Sequence, residues 1–323
     1  MPRLRSLSVV LVLLFGLRLG WSPAVAEPGT PLATSSLDAP CLTATPPAHS
    51  SFPLTETDDL GRAVALAARP ERIVSLAPSN TEILFALGAA DRVVGVDAAS
   101  DFPPEVAEKP DVGDYVAPDP ERVVAVEPDL VLASGLHAET VVPALEALDL
   151  TVAVIDPPNL EATLASIERV GRMTGTPGAV GVACRLRERV AMVEATVAGA
   201  PEPRVFFELS PDLYTAGPDS FVDDLIARAG GANVAADADQ PWPQLSAEAV
   251  VAADPQVIIL ADHEAGVDAA AVAARPGWSL LAAVEAGRVV EIEPDLALRP
   301  GPRVVNGLEE IARALHPDRF PDA

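Results

Sequence analysis

The sequence predicts an α/β fold of two similar lobes, each built on a parallel sheet, joined by a helical connector. Three observations carry that prediction. From residue 72 onward, short apolar runs alternate with amphipathic segments that begin and end on capping residues, the pattern of strands linked by crossover helices. The stretch 159–199 interrupts this alternation with helical periodicity alone. Finally, residues 121–133 (Glu-Arg-Val-Val-Ala-Val-Glu-Pro-Asp-Leu-Val-Leu-Ala) realign without gaps on residues 248–260 (Glu-Ala-Val-Val-Ala-Ala-Asp-Pro-Gln-Val-Ile-Ile-Leu). An internal repeat that keeps its spacing through a proline reads as two copies of one helix–strand unit.

Taken in chain order, the first element is an address. Arg3 and Arg5 precede an apolar run over 7–17, and Ala24-Val25-Ala26 supplies a small-x-small cleavage site, so residues 1–26 read as a signal peptide. Arg18 and Ser22-Pro23 cut the run short of the ~20 apolar residues a membrane span needs. Residues 27–51 form a Pro/Ala/Ser/Thr-rich leader without hydrophobic period. Cys41 lacks the Leu-small-small context of a lipidation site, since Asp38-Ala39-Pro40 precedes it. In an oxidising compartment Cys41 and Cys184 are able to form one disulfide; the alternative is two separate thiols.

The N-terminal lobe is expected over 52–177, opened by a hairpin at 52–66 that turns near Asp58 and Gly61-Arg62. Strands are expected at 73–77, 93–96, 130–133 and 152–155. Ser79-Asn80-Thr81-Glu82 reads as a capping box ahead of Ile83, Leu84 and Leu87, with Gly88 closing that helix. Gly175-Thr176-Pro177-Gly178 breaks the helical stretch, leaving 178–199 as the connecting helix. The C-terminal lobe, 200–323, carries strands at 205–209, 257–260 and 289–292 and a last helix at 304–315.

Composition removes whole classes of function. Among 323 residues, 22 basic side chains face 47 acidic ones for a net charge of −25, and Lys109 is the only lysine. Phosphate recognition needs clustered Lys and Arg, so no nucleic-acid partner is expected. Two cysteines cannot build a disulfide scaffold or a four-thiolate zinc site. Ala77-Pro78-Ser79-Asn80 stands where a dinucleotide-binding Gly-x-Gly-x-x-Gly belongs, and no Gly-x-Ser-x-Gly nucleophile elbow occurs.

What remains is a cleft. Ligands of open α/β sheets lie outside the carboxyl ends of the strands, here the loops 78–80, 97–102, 134–137, 210–214, 262–264 and 293–299, with Tyr115 near the same edge. Two lobes turning such loops toward one another describe a solute-binding cleft. A zinc or manganese receptor of the same architecture is one alternative, and it would draw on His137 and His263 with Asp262. His49 and His316 lie outside the cleft loops. An exported α/β enzyme using cleft carboxylates is the catalytic alternative, which turnover without a transporter would favour.

The residues 72–88, Arg-Ile-Val-Ser-Leu-Ala-Pro-Ser-Asn-Thr-Glu-Ile-Leu-Phe-Ala-Leu-Gly, resemble the opening of the vitamin B12 and iron-siderophore periplasmic binding proteins of ABC importers. Ser100-Asp101-Phe102-Pro103-Pro104, Val112-Gly113, Glu127-Pro128-Asp129-Leu130-Val131, Gly230-Gly231-Ala232-Asn233-Val234 and Pro241-Trp242-Pro243-Gln244 continue the resemblance in order over about 52–320. The resemblance implies Rossmann-like lobes on one long helix (the class III type), a largely preformed cleft, and no enzymatic activity or resident cofactor. It implies a monomer that delivers cobalamin or a ferric-siderophore-type chelate to a dimeric membrane permease, from the periplasm or the outer face of the cytoplasmic membrane. Glu121 and Glu248 match the acidic positions that engage permease arginines in this family; as first-turn residues both are also favoured by the helix dipole alone.

Pattern matching to the B12 binders marks Tyr115, Tyr214, Asp295 and Arg299 as wall residues, with Trp242 beside them. The tyrosines are suited to packing on a macrocycle or donating a phenol hydrogen bond, and Asp295 and Arg299 to ligand amides or to one another. Where B12 binders often carry aromatic walls this chain has Ala99, Ser134 and Leu296, which leaves a ferric hydroxamate, haem or another chelate open. The segments Pro241-Trp242-Pro243-Gln244 and Arg299-Pro300-Gly301-Pro302-Arg303 lean toward cobalamin, and the negative field disfavours polyanionic catecholates.

Overall fold

A computed structural model describes residues 51–321. The signal peptide 1–26, the leader up to residue 50, and Cys41 lie outside these described residues. Ten strands and eleven α-helices follow. The hairpin β1 (Leu54–Thr57) and β2 (Ala63–Leu66) leads into β3 (Ile73–Ser75), α1 (Pro78–Ala86), β4 (Val93–Val96), α2 (Pro120–Ala125), β5 (Leu130–Ala133), α3 (Val141–Glu146) and β6 (Val152–Val154). Next come α4 (Leu160–Met173) and α5 (Ala179–Val197), then β7 (Arg204–Glu208), α6 (Phe221–Arg228), β8 (Ala232–Asn233), α7 (Ala247–Ala253) and β9 (Val257–Leu260). The chain closes with α8 (Ala269–Ala273), α9 (Ala282–Glu285), β10 (Val289–Glu291), α10 (Pro294–Leu298) and α11 (Val304–Leu315).

Two parallel four-stranded sheets result, in the orders β4-β3-β5-β6 and β8-β7-β9-β10. Numbered within its own sheet, each runs 2-1-3-4, so the two halves share one topology. The sequence repeat falls on the same place in both, α2 into β5 and α7 into β9. Its details repeat as well. Each helix is left through a residue with φ of 44°, Glu127 and Asp254, just before the shared proline. Arg72 donates to the carbonyls of Val126 and Glu127 at the end of α2, and Arg204 to those of Ala253 and Asp254 at the end of α7. Guanidinium groups there satisfy carbonyls that the helix itself leaves unpaired.

Strands β5 and β9 read as unbroken apolar runs because helices cover both faces of each sheet. Ile73, Leu130 and Leu132 of one sheet share a continuous core with Val205, Phe207, Val257 and Ile259 of the other, through Leu164, Ile167, Val190, Leu308 and Ile311. Smaller clusters close the outer faces, around Val74, Val131 and Val154 on one sheet and around Phe206, Ile258 and Trp278 on the other.

The hairpin turns as its chemistry requires: Asp58 accepts from the backbone of Leu60, Arg62 and Val154 and pairs with the Arg62 side chain at 2.6 Å. Two expectations need correction. Helix α1 starts at Pro78 with Ala77 as its cap and no side-chain cap bond, so Ser79 to Glu82 form no capping box and are buried inside the helix. Strand β8 was not anticipated, because two residues beside Gly230-Gly231 leave no readable alternation. Cys184 lies on α5 and is disulfide-bonded.

Helices α10 and α11 cross at Gly307, where an added Cβ would stand 2.2 Å from the Leu296 carbonyl oxygen. Gly307→Ala raises intrinsic helix propensity but forces backbone apart. The expected result is a loss of about 1–3 kcal/mol, read as a lower Tm in thermal denaturation. A Tm equal to or above that of the parent would show that the crossing yields.

Candidate ligand cleft

The carboxyl edges of the two sheets meet through arginines. Glu82, on α1 and 3% exposed, receives Arg303 at 2.6 and 3.0 Å. Arg303 also lies over the Phe102 ring, 3.9 Å from its centroid. Arg299, at the end of α10, pairs with Asp101 at 2.6 Å, with Asp295 at 2.8 Å and with Glu82 at 3.7 Å. Asp101 and Phe102 follow β4, whereas Arg299 and Arg303 follow β10, so this junction links the carboxyl edges of the two sheets. Burial pushes Asp295 up to about 6 despite Arg299 beside it. Asp97, also at the end of β4, is 1% exposed and is likewise raised to about 6, against hydrogen bonds from Ser100 and the Ala99 amide.

On the N-terminal side the loop carrying Tyr115 is pinned at its base. Gly113 and Pro118 bridge across it, and Gly113 has φ of 117° with no room for a Cβ, which would meet the Asp119 nitrogen at 2.5 Å. Beneath Tyr115 lies His137, fully buried, ring edge to ring face at 5.6 Å. The Ser134 amide donates to its Nδ1, so the ring proton sits on Nε2, which donates to the Tyr115 carbonyl at 2.6 Å. Burial pushes the imidazole pKa down and the Tyr115 phenol pKa up. Both groups are therefore neutral near pH 7, and His137 positions Tyr115.

On the C-terminal side Tyr214 sits in the turn after β7. Its carbonyl accepts from Leu209, it bridges to Gln244, and Thr215 donates to the Pro243 carbonyl, so Tyr214 and half-buried Trp242 lie on paired segments. Below them, Glu208 is fully buried and held by both guanidinium nitrogens of Arg275 at 2.5 and 2.6 Å, while Arg275 lies over Trp278. Asp262, at the end of β9, faces Glu208; burial, reinforced by that carboxylate, pushes it up to about 7 against Arg275.

Of the residues marked by sequence, Asp295 pairs with Arg299, and Tyr214 and Trp242 share one wall. Tyr115 stands on the other lobe, and Glu121 and Glu248 are exposed at the starts of α2 and α7. The His137–His263 metal alternative fails on geometry, because both nitrogens of His137 are engaged within the fold. No group of three or more His, Cys, Asp or Glu able to hold a metal ion occurs among the described residues. Sequence reasoning places Asp97 in a carboxyl-end loop without singling it out, and misses the junction formed by Glu82, Asp101, Phe102 and Arg303. Three motifs contain those junction residues, 72–88, 100–104 and 299–303, but nothing local shows that they meet.

The periplasmic binding protein family pattern matches residues 73–296, well over half of the chain. The chain belongs to this family. An ABC transporter substrate-binding lipoprotein of Bacillus subtilis is 36% identical over 279 residues, covering 83% of this chain and 87% of the relative. A cobalamin-binding protein of Halobacterium salinarum is 34% identical over 277 residues, covering 82% and 75%. The solved heme-binding protein of Roseiflexus sp. RS-1 superposes with a TM-score of 0.69 at 29% identity, over 77% of this chain and 99% of that one.

This periplasmic binding protein is therefore a transport component acting outside the cytoplasm with a membrane permease, and the enzymatic alternative is set aside. Among the described residues no helix is long and apolar enough to cross a membrane.

The acid pair of this binding protein makes stability depend on pH. Asp262 holds its proton to about 7 when folded, well above the ordinary aspartate value of about 3.9, so its contribution is complete below about pH 4 and is lost as pH rises through 7. Asp262→Asn mimics the protonated form. At pH 8 the variant is expected to be more stable than the parent by at least ~1 kcal/mol, with the difference vanishing at pH 4 in paired thermal melts.

Proposed function

We propose that the cleft captures a cobalamin-type corrinoid and passes it unaltered to a dimeric permease. The observation that carries this reading is the charge balance at the cleft. Four carboxylates, Glu82, Asp97, Asp101 and Asp295, face two arginines, and Arg299 and Arg303 are both spent on those carboxylates. A ligand fringed with carboxylates, such as haem, needs free cations there, and so do catecholate chelates. An amide-fringed corrinoid needs mixed donors and acceptors, which the rim offers. Iron ligation by these two side chains is poorly served as well: His137 is fully engaged, and burial makes the Tyr115 phenol harder to deprotonate. The cobalamin-binding relative from Halobacterium salinarum supports the same choice, whereas the heme-binding structural neighbour keeps haem as the main competitor.

In this reading Tyr115 and Tyr214 pack on the macrocycle, Trp242 backs Tyr214, and Asp295 and Arg299 address the amide fringe. Exposed Glu121 and Glu248 dock on permease cations, one from each lobe. Calorimetric titration of residues 27–323 with cyanocobalamin is expected to show saturable one-to-one binding. Tyr115→Ala should weaken it about tenfold or more, which is ~1.4 kcal/mol. Silence with cyanocobalamin beside saturable binding of haem or a ferric hydroxamate would overturn the ligand assignment. For delivery, Glu121→Ala with Glu248→Ala is expected to abolish transport in proteoliposomes while cyanocobalamin affinity stays unchanged; transport at the parent rate would refute docking through these acids.

A further inference from the structure

The repeated helices α2 and α7 expose more than their glutamates. Residues 121–126 and 248–253 have the same burial sequence: exposed, exposed, buried, exposed, exposed, half-buried. Val123 and Val250 are fully buried and supply the packing, while Val124 and Val251 remain 40% and 38% exposed. Each exposed valine stands three residues after its glutamate, on the same helix face. Neither valine belongs to a buried core cluster. Valine is a poorer helix former than alanine, because its branched side chain loses rotamer freedom against the preceding turn. Half-exposed, it also regains little by burial. The two halves nevertheless place the same acid–valine pair at the same point of the same topology, each helix held at its far end by the matching arginine, Arg72 or Arg204.

We infer that Glu121 with Val124 and Glu248 with Val251 form two copies of one composite contact, and that the partner is a two-fold repeated surface bearing a basic side chain beside an apolar one. The inference rests on the docking reading above and extends it from a charge contact to a charged contact with an apolar anchor. Charge points to the basic partner. Neither glutamate has an ion-pair or hydrogen-bond partner for its carboxylate among the described residues, and the net charge of −25 steers cations toward the molecule. Beside Glu121, Arg122 is already occupied by Asp119 at 3.4 Å and Asp111 at 3.8 Å. Covering the valine removes water from the neighbouring ion pair and strengthens it, the arrangement that marks energetic centres of interfaces.

Val124→Ala with Val251→Ala tests the apolar part alone. The full chain is measured for thermal stability, for cyanocobalamin affinity, and for binding to the cognate permease dimer in lipid nanodiscs at several salt concentrations. The expected result is a Tm equal to or above that of the parent, unchanged ligand affinity, and docking at least tenfold weaker with its salt dependence retained. Glu121→Gln with Glu248→Gln should weaken docking and flatten its salt dependence. Parental docking by the alanine variant beside failure of the glutamine variant would overturn the apolar anchor and leave charge docking standing. Parental docking by both variants would overturn the docking surface itself.

Discussion

The arrangement of this protein depends on Glu82, a nearly buried carboxylate on one sheet's first helix whose charge is met by arginines from the other half of the chain. An ion so placed is tolerable only while its partner stays in position, since an uncompensated buried charge is strongly unfavourable. Arg303 and Arg299 answer it and at the same time reach Phe102 and Asp101. One cluster thus ties the carboxyl edges of both sheets. Behind it the apolar core runs unbroken from one sheet to the other through α4, α5 and α11. An ionic junction at the carboxyl edges and a shared core behind them hold the two sheets in one arrangement, and on the proposed reading that arrangement reduces the ordering that binding must overcome.

On that frame an almost symmetric chain builds an asymmetric site. The sheets share strand order, the repeat occupies the same step in each, and matched arginines close matched helices. The walls differ because the loops differ. His137, buried and neutral, holds Tyr115 through its carbonyl and its ring. Opposite, Tyr214 is fixed by strand-like pairing to the segment carrying Trp242, above a carboxyl pair steadied by Arg275. The symmetry survives at the starts of α2 and α7, the surface proposed to meet a two-fold partner, and lapses in the loops proposed to hold the ligand.

Much of this was legible in the sequence, and the reasons are local. Alternation identified the strands because burial on both faces makes β5 and β9 apolar at every position. The turn chemistry of Gly175-Thr176-Pro177-Gly178 falls between α4, which ends at Met173, and α5, which starts at Ala179. The gap-free repeat located equivalent units before any topology was known. Glu82 was misread for the same reason the junction was missed. Its spacing from Ser79 mimics a capping box, whereas its true partner Arg303 lies 221 residues on, and Asp101 and Arg299 are 198 apart. His137 looked like a metal ligand because a histidine in a cleft loop does not announce that the Ser134 amide and the Tyr115 carbonyl already occupy both nitrogens.

The most direct test of the account is a crystal structure of the protein grown with cyanocobalamin. The account predicts the corrin held between the loops of Tyr115 and Tyr214, its amides near Asp295 and Arg299, and the Glu82–Arg303 pair unbroken. A corrin lying outside the two carboxyl edges, or bound in the cleft only after that pair has separated, would contradict it.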